Sequence, residues 1–150
     1  METKITGINH LWKVDSLYLT GQPTSDSVAD IKALGIDRVF NLRGESEMDF
    51  SSQKSDFEAA GIEYHQLPIL DANKSLNKES IDKLNSMMDS SKSNLIHCGT
   101  ANRVGGWLIT HLVQNKKMNF DEAVEIAKNN GLKNEAFIEQ ARQILSLIHI

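Results

Sequence analysis

The residues with the most chemistry lie in one stretch, Leu95-Ile96-His97-Cys98-Gly99-Thr100-Ala101-Asn102-Arg103-Val104-Gly105-Gly106. Its apolar start reads as a short buried strand, its middle as a tight loop and its end as the beginning of a helix. Cys98, the only cysteine, falls where the strand ends, and Arg103 falls where the helix begins. The residues between them, Gly99, Thr100, Ala101 and Asn102, are small enough for the backbone to curl inward. Such a loop can aim successive N–H groups at one point and hold an anion. The helix that follows adds its dipole and its unpaired N–H groups. A thiol at such a position loses its proton readily, and the thiolate is the nucleophilic form. Arg103 adds a permanent charge and a planar fork that fits two oxygens of a tetrahedral anion. The competing reading of a lone cysteine at a strand end is a small buried hydrophobe. The small-residue loop and the arginine favour the reactive reading.

These groups need a scaffold to position them. A chain of 150 residues with 40% hydrophobic residues fits a single domain, 1–150, with a sizeable core. Leu11-Trp12-Lys13-Val14 and Leu17-Tyr18-Leu19 read as short strands, followed by a turn at Thr20-Gly21-Gln22-Pro23-Thr24. Val28, Ile31 and Leu34 give the next helix an apolar stripe that Gly35 ends. Ile36 to Leu42 is a strand with the polar loop Arg43-Gly44-Glu45-Ser46-Glu47 at its end, and a helix follows from Ser51 to Ala60. Ile62 to Leu67 is a strand leaving through Pro68 to Asn73. Asn77 caps a helix bearing Ile81, Leu84, Met87 and Met88, the methionines as core filler. After the cysteine loop come a helix with Trp107, Leu108, Leu112 and Val113, one capped by Asn119, and one capped by Asn134 that ends near Ile148. Alternating strands and helices predict an α/β fold: three layers, α/β/α, around a mostly parallel sheet of four to five strands. Ligands in such sheets bind beyond the C-terminal strand ends, where the loops at Arg43, Pro68–Asn73 and Cys98–Arg103 gather.

Charge and composition narrow the partners. The net charge of −4 and the lack of a basic run exclude nucleic acid as an expected partner; Lys116-Lys117 reads as a solvated helix end. No apolar run reaches membrane-spanning length, so no membrane association is expected. A single cysteine suits a reducing compartment, and a cytoplasmic location is the expectation. No His, Asp or Glu cluster has metal-ligand spacing, and no cofactor is expected. His97 is expected to be structural; His10, His65, His111 and His149 are given no role. Arg43 either pairs with Glu45 or Glu47 or serves as a second anion contact.

The order His97-Cys98-loop-Arg103 resembles the signature of the cysteine-dependent phosphatases. Leu19-Thr20-Gly21-Gln22-Pro23-Thr24, Val39-Phe40-Asn41-Leu42-Arg43 and Leu67-Pro68-Ile69-Leu70-Asp71 precede it in the order seen in a small bacterial family, the beta-lactamase-hydrolase-like phosphatase-like domains. That family resembles a compact branch of the dual-specificity phosphatases. The similarity spans about residues 8 to 131. Two departures stand out: four residues separate Cys98 from Arg103 where phosphatases usually have five, and Val104 replaces the usual Ser or Thr after the arginine.

The resemblance implies a phosphoric monoester hydrolase acting on a phosphorylated protein or a small phosphate ester. Cys98 is then the nucleophile, Arg103 the oxyanion clamp and Asp71 the general acid. Gly99 to Asn102 hold the phosphoryl oxygens, with Arg43 as a further contact. Gly99 and Gly105-Gly106 are expected to let the short loop splay around phosphate. The four-residue spacing equally suits a rhodanese-like sulfurtransferase with a persulfide on Cys98. A non-catalytic module that binds anions or phosphopeptides is the third alternative. Oligomeric state is not legible.

Overall fold

The computed structural model describes residues 2–5, 8–88, 91–99 and 101–148. Thr100 and His149, named above, lie outside them, as do the side chains of His10 and Ile148. One six-stranded sheet is built from β1 (Glu2–Ile5), β2 (Ile8–Val14), β3 (Leu17–Thr20), β4 (Arg38–Asn41), β5 (Glu63–Gln66) and β6 (Asn94–His97), in the order β1-β2-β3-β6-β4-β5. The pairs β3–β6, β6–β4 and β4–β5 are parallel, and β1–β2–β3 is an antiparallel meander at one edge. Five strands lie where the residue pattern places them. The sixth, β1, pairs with β2, and its polar Glu2-Thr3-Lys4 carries no apolar run to announce it.

The central strands are buried on both faces, as parallel strands covered by helices must be. Phe40 and Ile96 point to one face, Val39 and Leu95 to the other. α1 (Val28–Ala33) and α2 (Ser51–Ala59) cover the smaller cluster with Ile31 and Phe57. α3 (Lys78–Met87), α4 (Asn102–Gln114), α5 (Phe120–Asn129) and α6 (Glu135–Ile148) cover the larger one. The result is the expected three-layer α/β/α arrangement. Asn77 and Asn119 cap α3 and α5 as their positions suggest, each side-chain oxygen accepting from two amides.

α4 is the central helix, buried without a break from Val104 to Leu112. Gly105 and Gly106 do not serve to splay the loop: they lie inside α4, against other elements. A Cβ on Gly105 would stand 2.7 Å from Cβ of Leu132, and one on Gly106 would stand 3.0 Å from Leu76 Cδ1. They allow close packing. Val104 is fully buried in the same core, which accounts for an apolar residue after Arg103. Among the described residues no helix is long and apolar enough to cross a membrane.

Candidate active site

Cys98 follows the last residue of β6. Its amide donates to the Thr20 carbonyl (3.4 Å), and the Gly99 carbonyl accepts from the Gln22 amide (3.2 Å). The Gly21-Gln22-Pro23 turn therefore fixes the first step of the cysteine loop. Cys98 is 1% exposed and its side chain joins the larger core. Ala101 closes the loop with φ +74°, a left-handed conformation that costs an L-residue about 1–2 kcal/mol. Asn102 Oδ1 accepts from the amides of Lys133 (2.7 Å) and Asn134 (2.9 Å), so this side chain anchors the α5–α6 connection. At the start of α4, Ala101 offers no side-chain oxygen to cap the leading amides, whereas α3 and α5 spend theirs on asparagine. The positive end of the α4 dipole thus faces the loop.

Arg103 stands in the first turn of α4. Its Nη1 lies 2.7 Å from Oε2 of Glu47 and its Nη2 3.1 Å from Oε1. Glu47 also accepts from the Gly44 amide (2.5 Å) and from Arg43 Nε (3.0 Å). The Arg103 hydrogen bonds, joined by Gly44 and Arg43 against an opposing push from burial, hold the Glu47 carboxyl at about 2 instead of 4.5.

Arg43 takes the salt-bridge option, with Glu47 rather than Glu45. Its Nη1 also donates to Gln22 Oε1 (3.0 Å); Gln22 Nε2 donates to Gln53 Oε1 (2.7 Å), and Gln53 Nε2 lies 2.7 Å from His97 Nε2. Guanidinium is a donor only, so the polarity of this chain is forced: each glutamine accepts at oxygen and donates at nitrogen, and His97 Nε2 accepts. The His97 proton then sits on Nδ1. Burial drives His97 down from 6.5 to about 3, and the Arg43 and Arg103 charges push the same way, so the ring is neutral. Its backbone carbonyl accepts from the Leu42 amide (2.9 Å) and ties β6 to the end of β4.

Asp71 lies on the loop after β5, exposed. Its Oδ1 accepts from the amides of Asn73 (2.8 Å) and Ser75 (3.1 Å). Asp71, Lys74, Glu47 and Arg103 share a cleft of about 500 Å³, a volume suited to a small ligand. Cys98 is not among the residues that line that cleft. Among the described residues no group of three His, Cys, Asp or Glu could hold a metal.

Sequence reasoning missed the Glu47–Arg103 pair, the Gln22–Gln53 relay and the placement of Lys74. The i,i+4 spacing announces Arg43–Glu47, but no local signal joins Glu47 to a residue 56 positions away.

No protein-family model and no curated protein matches the chain. Solved structures do. A candidate phosphatase (DUF442) from Shewanella putrefaciens CN-32 is 22% identical with a TM-score of 0.73, covering 95% of this chain and 90% of that one. The kinase associated phosphatase with its catalytic-site cysteine replaced by serine is 14% identical with a TM-score of 0.77, covering 97% and 98%. TpbA from P. aeruginosa, a cysteine-to-serine variant in complex with pTyr, is 16% identical with a TM-score of 0.66, covering 94% and 90%. The fold is thus the one that protein tyrosine and dual-specificity phosphatases share.

Proposed function

We propose that the chain is a cysteine-dependent phosphatase that hydrolyses phosphate monoesters through a phosphocysteine. One observation carries the reading: Cys98 at the end of β6 and Arg103 in the first turn of α4 are fixed by a shared loop, and Arg103 opens to the cleft that also holds Asp71. The likeness in fold to phosphatases supports it.

The substrate dianion binds to loop amides from Gly99 to Arg103 and to the Arg103 guanidinium. Arg103 has five N–H groups, and Glu47 uses one on each Nη. Arg103 also hydrogen-bonds the Cys98 side chain, and its donors not engaged by Glu47 turn to two phosphoryl oxygens when substrate binds. Each donor placed at such an oxygen contributes about 10²–10³ in rate. The Cys98 thiolate gives its electron pair to phosphorus as the ester P–O bond breaks, and Asp71 in its acid form donates a proton to the leaving oxygen. In the second half Asp71 takes a proton from water, the water oxygen attacks phosphorus, and the S–P bond breaks to return the thiolate. Val104 offers no hydroxyl to the departing thiolate, which leaves that step to the amides and Arg103. Arg43 is a positioning residue that acts through Glu47 and Gln22. A phosphotyrosyl protein is the substrate class that the TpbA–pTyr complex supports; a small phosphate ester is the other.

The four-residue spacing favours one second reading, sulfur transfer through a Cys98 persulfide. One preparation assayed against an aryl phosphate and against thiosulfate with cyanide separates the two. Phosphate release that vanishes in Cys98→Ser, without thiocyanate, is the expected result. Thiocyanate formation dependent on Cys98, without phosphate release, replaces the proposal with the second reading.

A further inference from the structure

A second cavity, of about 440 Å³, opens at the opposite end of the sheet from Cys98. It is lined by the β2–β3 turn at Asp15-Ser16, the first residue of β6 (Asn94), and the end of α4 with His111, Gln114, Asn115, Lys116 and Lys117. Asn94 and Cys98 are four residues apart along an extended strand, about 13 Å.

Hydrogen-bond polarity around this cavity is fixed from inside the protein. Trp107 Nε1 can only donate, and it donates to Asn85 Oδ1 (2.8 Å). Asn85 Nδ2 must therefore donate, and it reaches Gln114 Oε1 (3.0 Å) and Thr110 Oγ1 (3.4 Å). Gln114 has accepted at oxygen, so its Nε2 hydrogens are left for the cavity side. Independently, the Asn85 carbonyl can only accept, and it accepts from Asn115 Nδ2 (3.2 Å). The same Nδ2 lies 3.0 Å from His111 Nδ1, which must then accept. The His111 proton is on Nε2, which has no partner among the described residues. His111 is 4% exposed and stacks on Trp107 at 5.2 Å. Burial, with the Lys116 charge adding to it and Asp15 opposing, lowers it from 6.5 to about 4, so the neutral tautomer persists at physiological pH.

The network thus leaves Gln114 Nε2 and His111 Nε2 as donors in a cavity that Lys116 and Lys117 also line. Asp15 and Asn115 Oδ1 are the acceptors at the same rim. We infer that this cavity is a binding site for a small hydroxylated anion, whose carboxylate or phosphate group meets Gln114, His111 and the lysines and whose hydroxyl groups meet Asp15 and Asn115. The inference does not depend on the chemistry at Cys98.

The test is an NMR titration of the labelled protein with inorganic phosphate, with tartrate and with uncharged glycerol. The readouts are the Gln114 side-chain amide and the His111 ring. The titration is repeated in Arg103→Ala, to remove anion binding at the cysteine loop. Expected are saturable shifts of both groups with phosphate, tartrate or both, preserved in Arg103→Ala and absent with glycerol; whichever anion binds tighter names the acid group. Gln114→Glu keeps the oxygen that accepts from Asn85 and turns the donor toward the cavity into a carboxylate. It should weaken binding at least about tenfold while aryl phosphate turnover stays unchanged. Lys117→Asn suits the left-handed backbone at that position (φ +57°) and gives an independent variant with the same expected direction. No saturable shift with either anion, equal shifts with glycerol, or full affinity in both variants overturns the inference.

Discussion

Arg103 meets Glu47 end-on, with Nη1 2.7 Å from Oε2 and Nη2 3.1 Å from Oε1. The pair joins the loop after β4 to the first turn of α4, and both residues line the cleft. Glu47 in turn is held by Gly44 and Arg43, so the orientation of Arg103 depends on a loop remote in sequence.

Glu47→Ala should therefore lower kcat/KM for an aryl phosphate by roughly tenfold to a hundredfold, the scale of loss when a positioned group drifts by about 1 Å. Glu47→Gln keeps one acceptor for Arg103 but sets an NH₂ against the Gly44 amide or Arg43, and should fall between. Steady-state kinetics check this. Unchanged kcat/KM in Glu47→Ala would mean that the cysteine loop alone aligns Arg103.

The depressed pKa of Glu47 also predicts how stability falls in acid. A carboxyl at about 2 when folded and near its ordinary 4.5 when unfolded stabilises the fold above pH 4.5, and this contribution is lost as pH falls from 4.5 toward 2. Urea unfolding followed over that range should show a shallower decline in Glu47→Gln than in the parent. Parallel curves would place the Glu47 ion pairs outside the stability of the folded state.

His97 loses its contribution in a higher window. It stays neutral when folded, with a value of about 3, and binds a proton near 6.5 when unfolded. Stability is complete above pH 6.5 and declines as pH falls from 6.5 toward 3, by on the order of 2 kcal/mol at pH 5. The direct measurement is the His97 ring resonance, which should not titrate between pH 7 and 4. A midpoint near 6.5 would show that the ring is open to water and that the Gln53 hydrogen bond does not hold it.

Much of this site is legible from local pattern. Cys98, Arg103 and their loop are contiguous, and the strand, cap and stripe signals at Val39–Leu42, Asn77 and Asn119 need only near neighbours. The Glu47–Arg103 pair and the relay from Arg43 through Gln22 and Gln53 to His97 are not legible, because each link spans a distance in sequence that only the folded sheet closes. The Gly-Gln-Pro and Asn-Leu-Arg pieces look like separate weak motifs in the chain. In the fold Gln22 and Arg43 bond to each other. Gly105-Gly106 misled for the same reason: small residues beside a loop suggest pliancy, and only the position of Leu132 shows that they are needed for packing.

Gly105→Ala tests that packing role. Alanine favours a helix by about 1 kcal/mol over glycine, but its Cβ would lie 2.7 Å from the Leu132 Cβ, and overpacking of this kind costs typically 1–3 kcal/mol. Net destabilisation by urea unfolding is expected. Equal or greater stability would mean that the α5–α6 connection yields easily, and with it the Asn102 anchor.

Asp71 carries the remaining prediction, and its setting makes the test clean. The Asp71 side chain has two duties to separate: Oδ1 holds the turn through the amides of Asn73 and Ser75, and the acid form supplies a proton under the proposed mechanism. Asn at this position keeps an Oδ1 that can accept from both amides and removes the transferable proton. Asp71→Asn should therefore retain the loop while losing general acid catalysis, worth about 10²–10⁴ in rate. The loss must depend on the leaving group. An acidic phenol departs without help, so kcat/KM for its ester, which covers only the steps up to phosphocysteine formation, should be nearly unaffected, whereas kcat/KM for a tyrosyl or alkyl phosphate should fall by the full factor. A series of aryl and alkyl phosphates assayed with parent and variant gives the dependence directly. If kcat/KM falls equally for every ester, the damage is to the cleft and Asp71 is not the general acid. If none slows, the proton comes from elsewhere on the cleft wall.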